Sequence, residues 1–274
     1  MVEGPEATYM AEYVLRHYKR KSLTAIKIVA GRYKHHGPPQ NYRAFIKDLP
    51  LKLLDVYKKG KIVYLLFEGG WTIIVRFGME GWFYKTADQH FRYKTDKPNI
   101  IFDFGGGDEL KFMDFRNFGT LTITNNMEEV LSTIGITAPD ILDSTVHFKD
   151  IQERLGTLSE KQRSQSIDII LMDQTAIISG IGNIIKSEIL YEACISPHTK
   201  VKDITPQEWK KIFVVSRQIT RKILGILRKR PFSIESYTGI RKVYDREEDT
   251  MGRKVVTYKS ADGRATFWVP SVQK

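Results

Sequence analysis

The sequence predicts an α+β chain of more than one domain: a helix with an antiparallel β-sandwich, then a helical region, then a closing β-hairpin. Three observations predict it. Residues 3–20 place Tyr9, Met10, Tyr13, Val14 and Tyr18 at helical spacing. Residues 22–124 break into short β-rich runs punctuated by glycine, and residues from about 148 to 229 return to helical periodicity. The 274-residue length suits two modest domains, each able to bury a core.

Each element has a local reason. Pro5 suits the first turn of the N-terminal helix, where its missing N–H costs nothing. Glu3 and Glu6 then stand near the positive end of the helix dipole. The expected strands are Leu23–Val29, Ile62–Phe67, Thr72–Phe77, Ile100–Phe104, Leu110–Met113 and Leu121–Thr124, with glycines at 69–70, 78 and 105–107 between several of them. Residues 125–150 read as a connector. Helices are expected near 148–155, 163–173, 183–193 and 206–229, the last with Ile212, Val215, Ile219, Ile223 and Ile226 on a stripe. Lys254–Tyr258 and Ala265–Val269 flank a Gly263-Arg264 turn and predict a hairpin. The domain boundaries expected are 1–124, a 125–150 linker, 151–239 and 240–274.

Composition narrows the function classes. The formal net charge of +11 points to a polyanion partner, either nucleic acid or an acidic membrane surface. One cysteine, Cys194, excludes an internal disulfide framework and a cysteine-based zinc site. Its setting, Leu-Tyr-Glu-Ala-Cys-Ile, reads as a buried helix face. No run of about 18 apolar residues and no signal peptide is present, so an intracellular protein that is not secreted is expected.

Four constellations carry chemistry. In the first, Val2-Glu3-Gly4-Pro5-Glu6, removal of Met1 frees the Val2 amine beside two carboxylates. A backbone amine titrates near ~8, so part of it is neutral and can attack an electrophilic sugar carbon to form a Schiff base. In the second, Lys61 follows Gly60, where a turn can aim it into a cleft. The third pairs the turns Arg76 to Gly81 and Asp114 to Gly119, whose Met79, Arg116 and Phe118 match the size of the hole that a flipped base leaves in a duplex. The fourth runs Leu171-Met172-Asp173-Gln174, Ser179 to Asn183 and Lys186 to Leu190. Its glycine turn opens a helix and presents backbone N–H groups to a phosphate, with Asn183 adding a side-chain hydrogen bond. Each also has a plainer reading: an ordinary helix start, a surface lysine, a core Met and Phe, a simple glycine turn.

Together and in order, these motifs resemble the formamidopyrimidine-DNA glycosylase and endonuclease VIII family of base-excision repair enzymes. The resemblance covers nearly the whole chain, from Glu3-Gly4-Pro5-Glu6 through Gly60-Lys61, Gly78-Met79, Arg116–Gly119 and Asp173–Asn183 to Gly263-Arg264 and Pro270-x-x-Gln273. It implies a β-sandwich joined to a helix-two-turn-helix domain, with damaged double-stranded DNA, and single-stranded DNA as a further form, as partner to a monomer that uses no membrane. It further implies that the Val2 amine attacks C1′, that Glu3 is general acid on the ring oxygen, and that Glu6 supports the site. Lys61, Asn183, Gly182 and Arg264 would hold phosphates, and Met79, Arg116 and Phe118 would fill the void. Strand cleavage by β- and δ-elimination would follow without metal or cofactor. A catalytically silent binder of damaged DNA and a ribosome-associated RNA binder are the competing classes.

Two departures from the family pattern stand out. Val2 replaces the proline of many members, which keeps a primary amine capable of imine formation. In the C-terminal finger, Val269-Pro270-Ser271-Val272-Gln273 stands where zinc-binding members have Cys-Pro-x-Cys-Gln, and no cysteine pair lies in 245–254. This resembles the zincless finger of one endonuclease VIII-like branch, with Val255, Phe267, Trp268 and Val269 expected in its apolar core. The stretch of about 231–243 is short, whereas members specialised for 8-oxoguanine carry a longer loop. The resemblance therefore points to oxidised pyrimidines and formamidopyrimidines as substrates.

Overall fold

The computed structural model describes residues 2–86, 97–229, 237 and 239–274. The chain forms two compact units. One contains Val2 and residues 6–136; the other contains residues 3–5, 137–229 and the described residues from 237 onward.

The first unit holds two antiparallel sheets. After helix α1 (Gly4–Tyr18) come strands β1 (Ser22–Leu23) and β2 (Ala25–Ile28), then the short helices α2 (Arg32–His35) and α3 (Tyr42–Lys47). Strands β3 (Leu51–Lys59), β4 (Ile62–Phe67), β5 (Thr72–Arg76), β6 (Trp82–Tyr84), β7 (Ile100–Asp103), β8 (Glu109–Met113) and β9 (Thr120–Thr124) follow, then helix α4 (Met127–Ile136). One sheet runs β1-β3-β4-β5-β9 and the other β2-β7-β8-β6. An aromatic cluster fills the core. The Phe83 ring meets Phe77, Phe102 and Phe112 edge-on at 5.5, 6.0 and 5.5 Å, and Phe77 directly follows β5. Edge-to-face contacts of this kind add to the burial of the rings themselves.

Two features were hidden in the sequence. Strand β3 breaks its alternation at a bulge between Leu53 and Asp55, which leaves Leu54 and Tyr57 exposed. The connector expected at 125–150 contains α4. Val130 and Ile134 of this helix, one turn apart, cover Tyr64 and Ile74 of the sheet. That cover explains why β4 and β5 are nearly continuous in apolar residues rather than alternating.

The second unit contains α5 (Phe148–Gly156), α6 (Glu160–Arg163), α7 (Ile167–Ile170), α8 (Asn183–Ala193) and α9 (Pro206–Lys229), then the hairpin strands β10 (Val256–Lys259) and β11 (Ala265–Trp268). The single helix expected over 163–173 is instead two short ones. Ser159 caps α6 through the Gln162 N–H, and Ser166 stands at the N-cap of α7, so a serine-rich stretch interrupts the helix. The stripe on α9 is also rotated from the one expected. Its buried line is Trp209, Ile212, Phe213, Ser216, Thr220, Ile223, Leu224 and Leu227, while Val215, Ile219 and Ile226 flank it half-buried. Ser216 and Thr220 sit in this line because their hydroxyls donate to carbonyls one turn back, Ile212 O at 2.6 Å and Ser216 O at 2.7 Å. Cys194 is not core. It ends α8 in the left-handed region at φ +58° with an exposed side chain. Among the described residues, no helix is long and apolar enough to cross a membrane.

The aromatic cluster sets the stability of the sandwich. Phe83→Ala should cost about 3–5 kcal/mol, against less than about 0.5 kcal/mol for Leu54→Ala on the exposed side of the bulge. Urea unfolding of the two variants measures both.

Candidate active site

Helix α8 is buried nearly all round, which leaves the N–H groups of its first turn without water to satisfy them. Glu3 satisfies two of them. Its carboxylate is fully buried and accepts from the Ile184 N–H at 2.9 Å and the Ile185 N–H at 3.1 Å. The N–H of Gly4 donates to Gly180 O at 2.7 Å, which pins the start of the chain to the same turn. Two glycines make the approach possible. A Cβ at Gly182 would lie 2.3 Å from Glu3 Cδ, and one at Gly4 would lie 2.7 Å from Gly180 O. Gln174 braces the turn from behind: its side chain accepts from the Gly180 N–H and donates to Met172 O and Ile181 O.

Asn183, Gly182 and Arg264 gather at this helix end. Asn183 is buried, and its Nδ2 donates to Ala265 O at 2.8 Å, next to Arg264. Arg264 stands at the hairpin tip, with Nη1 2.5 Å from Asp262 Oδ2. Burial works to raise the Asp262 carboxyl, but the hydrogen bonds from Arg264 outweigh it and hold the carboxyl below its ordinary value. Val2 and Glu6 are also buried, with Glu6 in the first turn of α1.

The void-filling candidates meet in the first unit. Arg76 pairs with both Ile62 and Thr120, so Lys61, the turn after Phe77 and the turn before Thr120 share one end of the five-stranded sheet. Gly60, with φ +61°, makes the tight turn that carries Lys61. Gly78 lies so close to the second turn that a Cβ would sit 2.7 Å from the Phe118 carbonyl carbon. Phe118 is 53% exposed, and the Arg116 guanidinium lies 5.1 Å over its ring. Asp114 holds this turn by accepting from Gly119 N–H at 2.5 Å and Arg116 N–H at 3.2 Å. Burial pushes its carboxyl up against the pull of those bonds. Met79 is half-buried beside Gly78.

The finger is built without a metal-donor set. Among the described residues, no three His, Cys, Asp or Glu side chains cluster to hold an ion, so the donor set does not fit the zinc site of cysteine-bearing relatives. Instead, Val243, Val255 and Val269 pack with Tyr191 of α8, flanked by Phe267 and Val272. Trp268, expected in that cluster, lies on the opposite strand face, with its ring 5.0 Å from that of His198. Asp249 adds a polar clamp. It accepts from the Tyr191 hydroxyl at 3.1 Å, the Arg253 side chain at 2.6 Å, and the N–H groups of Met251 and Arg253. Burial opposes the charged form, yet these four donors prevail and hold the carboxyl at about 2. Gln273 closes the C-terminus by accepting from Val269 N–H and donating to Ile195 O.

In the sequence, Glu188 and Lys186 stand out only as members of the Lys186 to Leu190 motif. Glu188 accepts from the N–H groups of Lys242, Val243 and Tyr244 at 2.7, 3.1 and 2.9 Å and so ties the segment before the finger to α8. The signal is two charged residues that alternate with Ile185, Ser187 and Ile189 in a helix flanked by apolar runs, where buried charges are tolerated only when paired.

A two-sheet unit, a helical unit and a hairpin that meets a carboxylate-capped helix through Ala265, next to Arg264, define an α+β class. The chain belongs to the formamidopyrimidine-DNA glycosylase family. The family's N-terminal domain matches residues 1–121 and its H2TH domain matches residues 137–228. A formamidopyrimidine-DNA glycosylase of Listeria monocytogenes serotype 4b (strain F2365) is 30% identical over 231 residues, covering 80% of this chain and 81% of that protein. That of Ureaplasma parvum serovar 3 is 24% identical, with both chains covered in full. The fold is shared with Lactococcus lactis formamidopyrimidine-DNA glycosylase bound non-covalently to DNA containing an abasic site. The TM-score is 0.80 at 19% identity, with 99% of each chain covered.

The clamp predicts an acid limb. The folded Asp249 value of about 2 lies below the unfolded value of about 3.9, so its stabilisation is complete above the latter and is lost as pH falls through the former. Asp249→Asn should therefore be less stable than the parent at pH 7. The gap should close between about pH 4 and 2. Denaturant melts across that range measure it.

Proposed function

We propose that the chain is a bifunctional DNA glycosylase and abasic-site lyase of base-excision repair. The observation that carries this reading is the Glu3 carboxylate held by two N–H groups at the start of α8, with Asn183 and the Arg264 hairpin at the same helix end. Hydrogen bonding to a rigid helix end holds a proton-transfer group in one orientation, and Glu3 is the residue next to the Val2 amine.

In this mechanism the processed Val2 amine attacks C1′ as Glu3 protonates the ring oxygen. The C1′–O4′ bond breaks and opens the sugar ring, the surplus proton of the attacking amine passes to the base as it leaves with the glycosidic electron pair, and a C1′ iminium forms. The iminium acidifies the 2′ proton, whose removal expels the 3′ phosphate by β-elimination, and δ-elimination expels the 5′ phosphate. Glu6 supports the amine. Lys61, Asn183, Gly182 and Arg264 hold phosphates. Met79, Arg116 and Phe118 occupy the gap left by the flipped base; an exposed phenyl ring beneath a guanidinium suits that task.

The partner is damaged double-stranded DNA, with single-stranded DNA a further substrate form, and the protein acts as a monomer. The domains are residues 1–124, the linker 125–150, 151–239 and the finger 240–274. The valine-lined finger supports a reading of the chain as a member of the endonuclease VIII-like, zincless branch. The short 231–243 stretch favours oxidised pyrimidines and formamidopyrimidines; most of that stretch lies outside the described residues.

Borohydride trapping on an oligonucleotide with one abasic site tests the reading, using protein with Met1 removed. The expected result is a covalent adduct that maps to Val2. DNA binding without an adduct would shift the assignment to a silent binder of damaged DNA. Glu3→Gln should abolish base excision while changing affinity for abasic-site DNA little, as measured by single-turnover kinetics and equilibrium titration. A zinc chelator should change neither melting temperature nor turnover; loss of either would defeat the zincless assignment.

A further inference from the structure

Lys186 is the one lysine fully buried among the described residues. It projects from the first turn of α8, where its Nζ donates to Thr266 Oγ1 on β11 at 2.8 Å. Thr266 is itself fully buried. Its hydroxyl shares a 2.6 Å hydrogen bond with Ser260 Oγ, which in turn donates to Asp168 Oδ2 at 2.5 Å. Asp168 also accepts from the Tyr258 hydroxyl at 2.7 Å and from Ser166 Oγ at 2.5 Å. A buried ammonium and a buried carboxylate are thus joined through two hydroxyls, one on β11 and one directly after β10.

The network sits at the base of the tip that carries Arg264. Ser260 N–H donates to Arg264 O and Gly263 N–H to Ser260 O, both at 2.8 Å, so Ser260 closes the turn. Ala265 O is held by Asn183, one turn before Lys186 on the same helix. Two side chains of α8 therefore grip β11 at consecutive residues immediately after Arg264. Burying an ammonium is costly, and the same contact with β11 needs no charge. Burial lowers the Lys186 amine to about 8, with Asp168 opposing that fall. Retention of a lysine here is explained by reach: it spans from the helix to a buried hydroxyl that also contacts the turn-closing serine.

We propose that Lys186 is a positioning residue for Arg264, acting through Thr266, Ser260 and Asp168 to set where the hairpin tip presents its guanidinium to a DNA phosphate. This rests on the reading of Arg264 as a phosphate contact. The test uses a duplex with a tetrahydrofuran abasic analogue, which binds without being cleaved, together with amide hydrogen exchange of residues 260–266 in the free protein. Lys186→Met and Thr266→Val should each raise Kd about tenfold, a size typical of a lost phosphate contact, and neither should add to the loss caused by Arg264→Ala. Lys186→Arg should recover most of the affinity. Exchange at 260–266 should be faster in both weakened variants. Thr266→Val keeps the side-chain volume and carries the test if Lys186→Met fails to fold. Parent-like binding by Lys186→Met and Thr266→Val while Arg264→Ala binds weakly would overturn the proposal, as would losses that add to that of Arg264→Ala. If Arg264→Ala binds like the parent, the phosphate role of Arg264 is what fails. Unchanged exchange in Lys186→Met would sink the clamp itself.

Discussion

A carboxylate at the start of a buried helix organises the second unit. The first N–H groups of α8 have no helical partner, and burial denies them water. Glu3 supplies the acceptor from a position 181 residues away from Ile184. The positive end of the helix dipole adds to the attraction. The arrangement works only because the backbone at Gly182 and Gly4 leaves room for it. The residue proposed for proton transfer is therefore also one that the fold needs, and residues 3 and 4 cannot drift without exposing a helix end.

The rest of the unit hangs on the same helix. Asn183 holds Ala265, Lys186 holds Thr266, Glu188 holds the N–H groups of 242–244, and Tyr191 holds Asp249. Successive turns of α8 thus fasten successive pieces of the segment that ends in the hairpin. Each fastening is a polar contact inside an apolar environment, where a hydrogen bond is strong and its loss is expensive. Apolar packing fills the core of the segment around the hairpin, and the Asp249 clamp fixes its geometry.

The first unit follows a different rule. Its sheets are held by aromatic and aliphatic packing, and the side chains proposed to meet DNA stand on turns at one end of the five-stranded sheet. Glycines 60 and 78 allow those turns, at φ +61° and +63°. Asp114 gives the second turn its shape through backbone N–H bonds. A rigid scaffold with protruding Phe118 and Arg116 follows from that division of labour.

Much of the fold was legible in the sequence because its signals are local. Period-3.6 spacing marked α1, α8 and α9, short β-rich runs punctuated by glycine marked most strands, and alternation marked the closing hairpin. The ordered motifs also marked Val2, Glu3, Lys61, Asn183 and Arg264 as candidates. What stayed hidden depends on contacts distant in sequence. The bulge in β3 and the cover supplied by α4 arise from sheet pairing and packing. Ser216 and Thr220 lie in the core because each bonds back into its own helix, which moved the buried line of α9 away from the isoleucines. Cys194 is exposed because the chain turns left-handed at the end of α8, beyond the reach of helical periodicity. The Glu3 cap, the Asp249 clamp and the Lys186 network each join groups dozens of residues apart or more, or depend on burial that no local pattern encodes. Sequence alone therefore determined the elements and the candidate chemistry. Tertiary structure decided which charges are buried, what pairs with them and how the site is held, because burial and pairing exist only once distant segments meet.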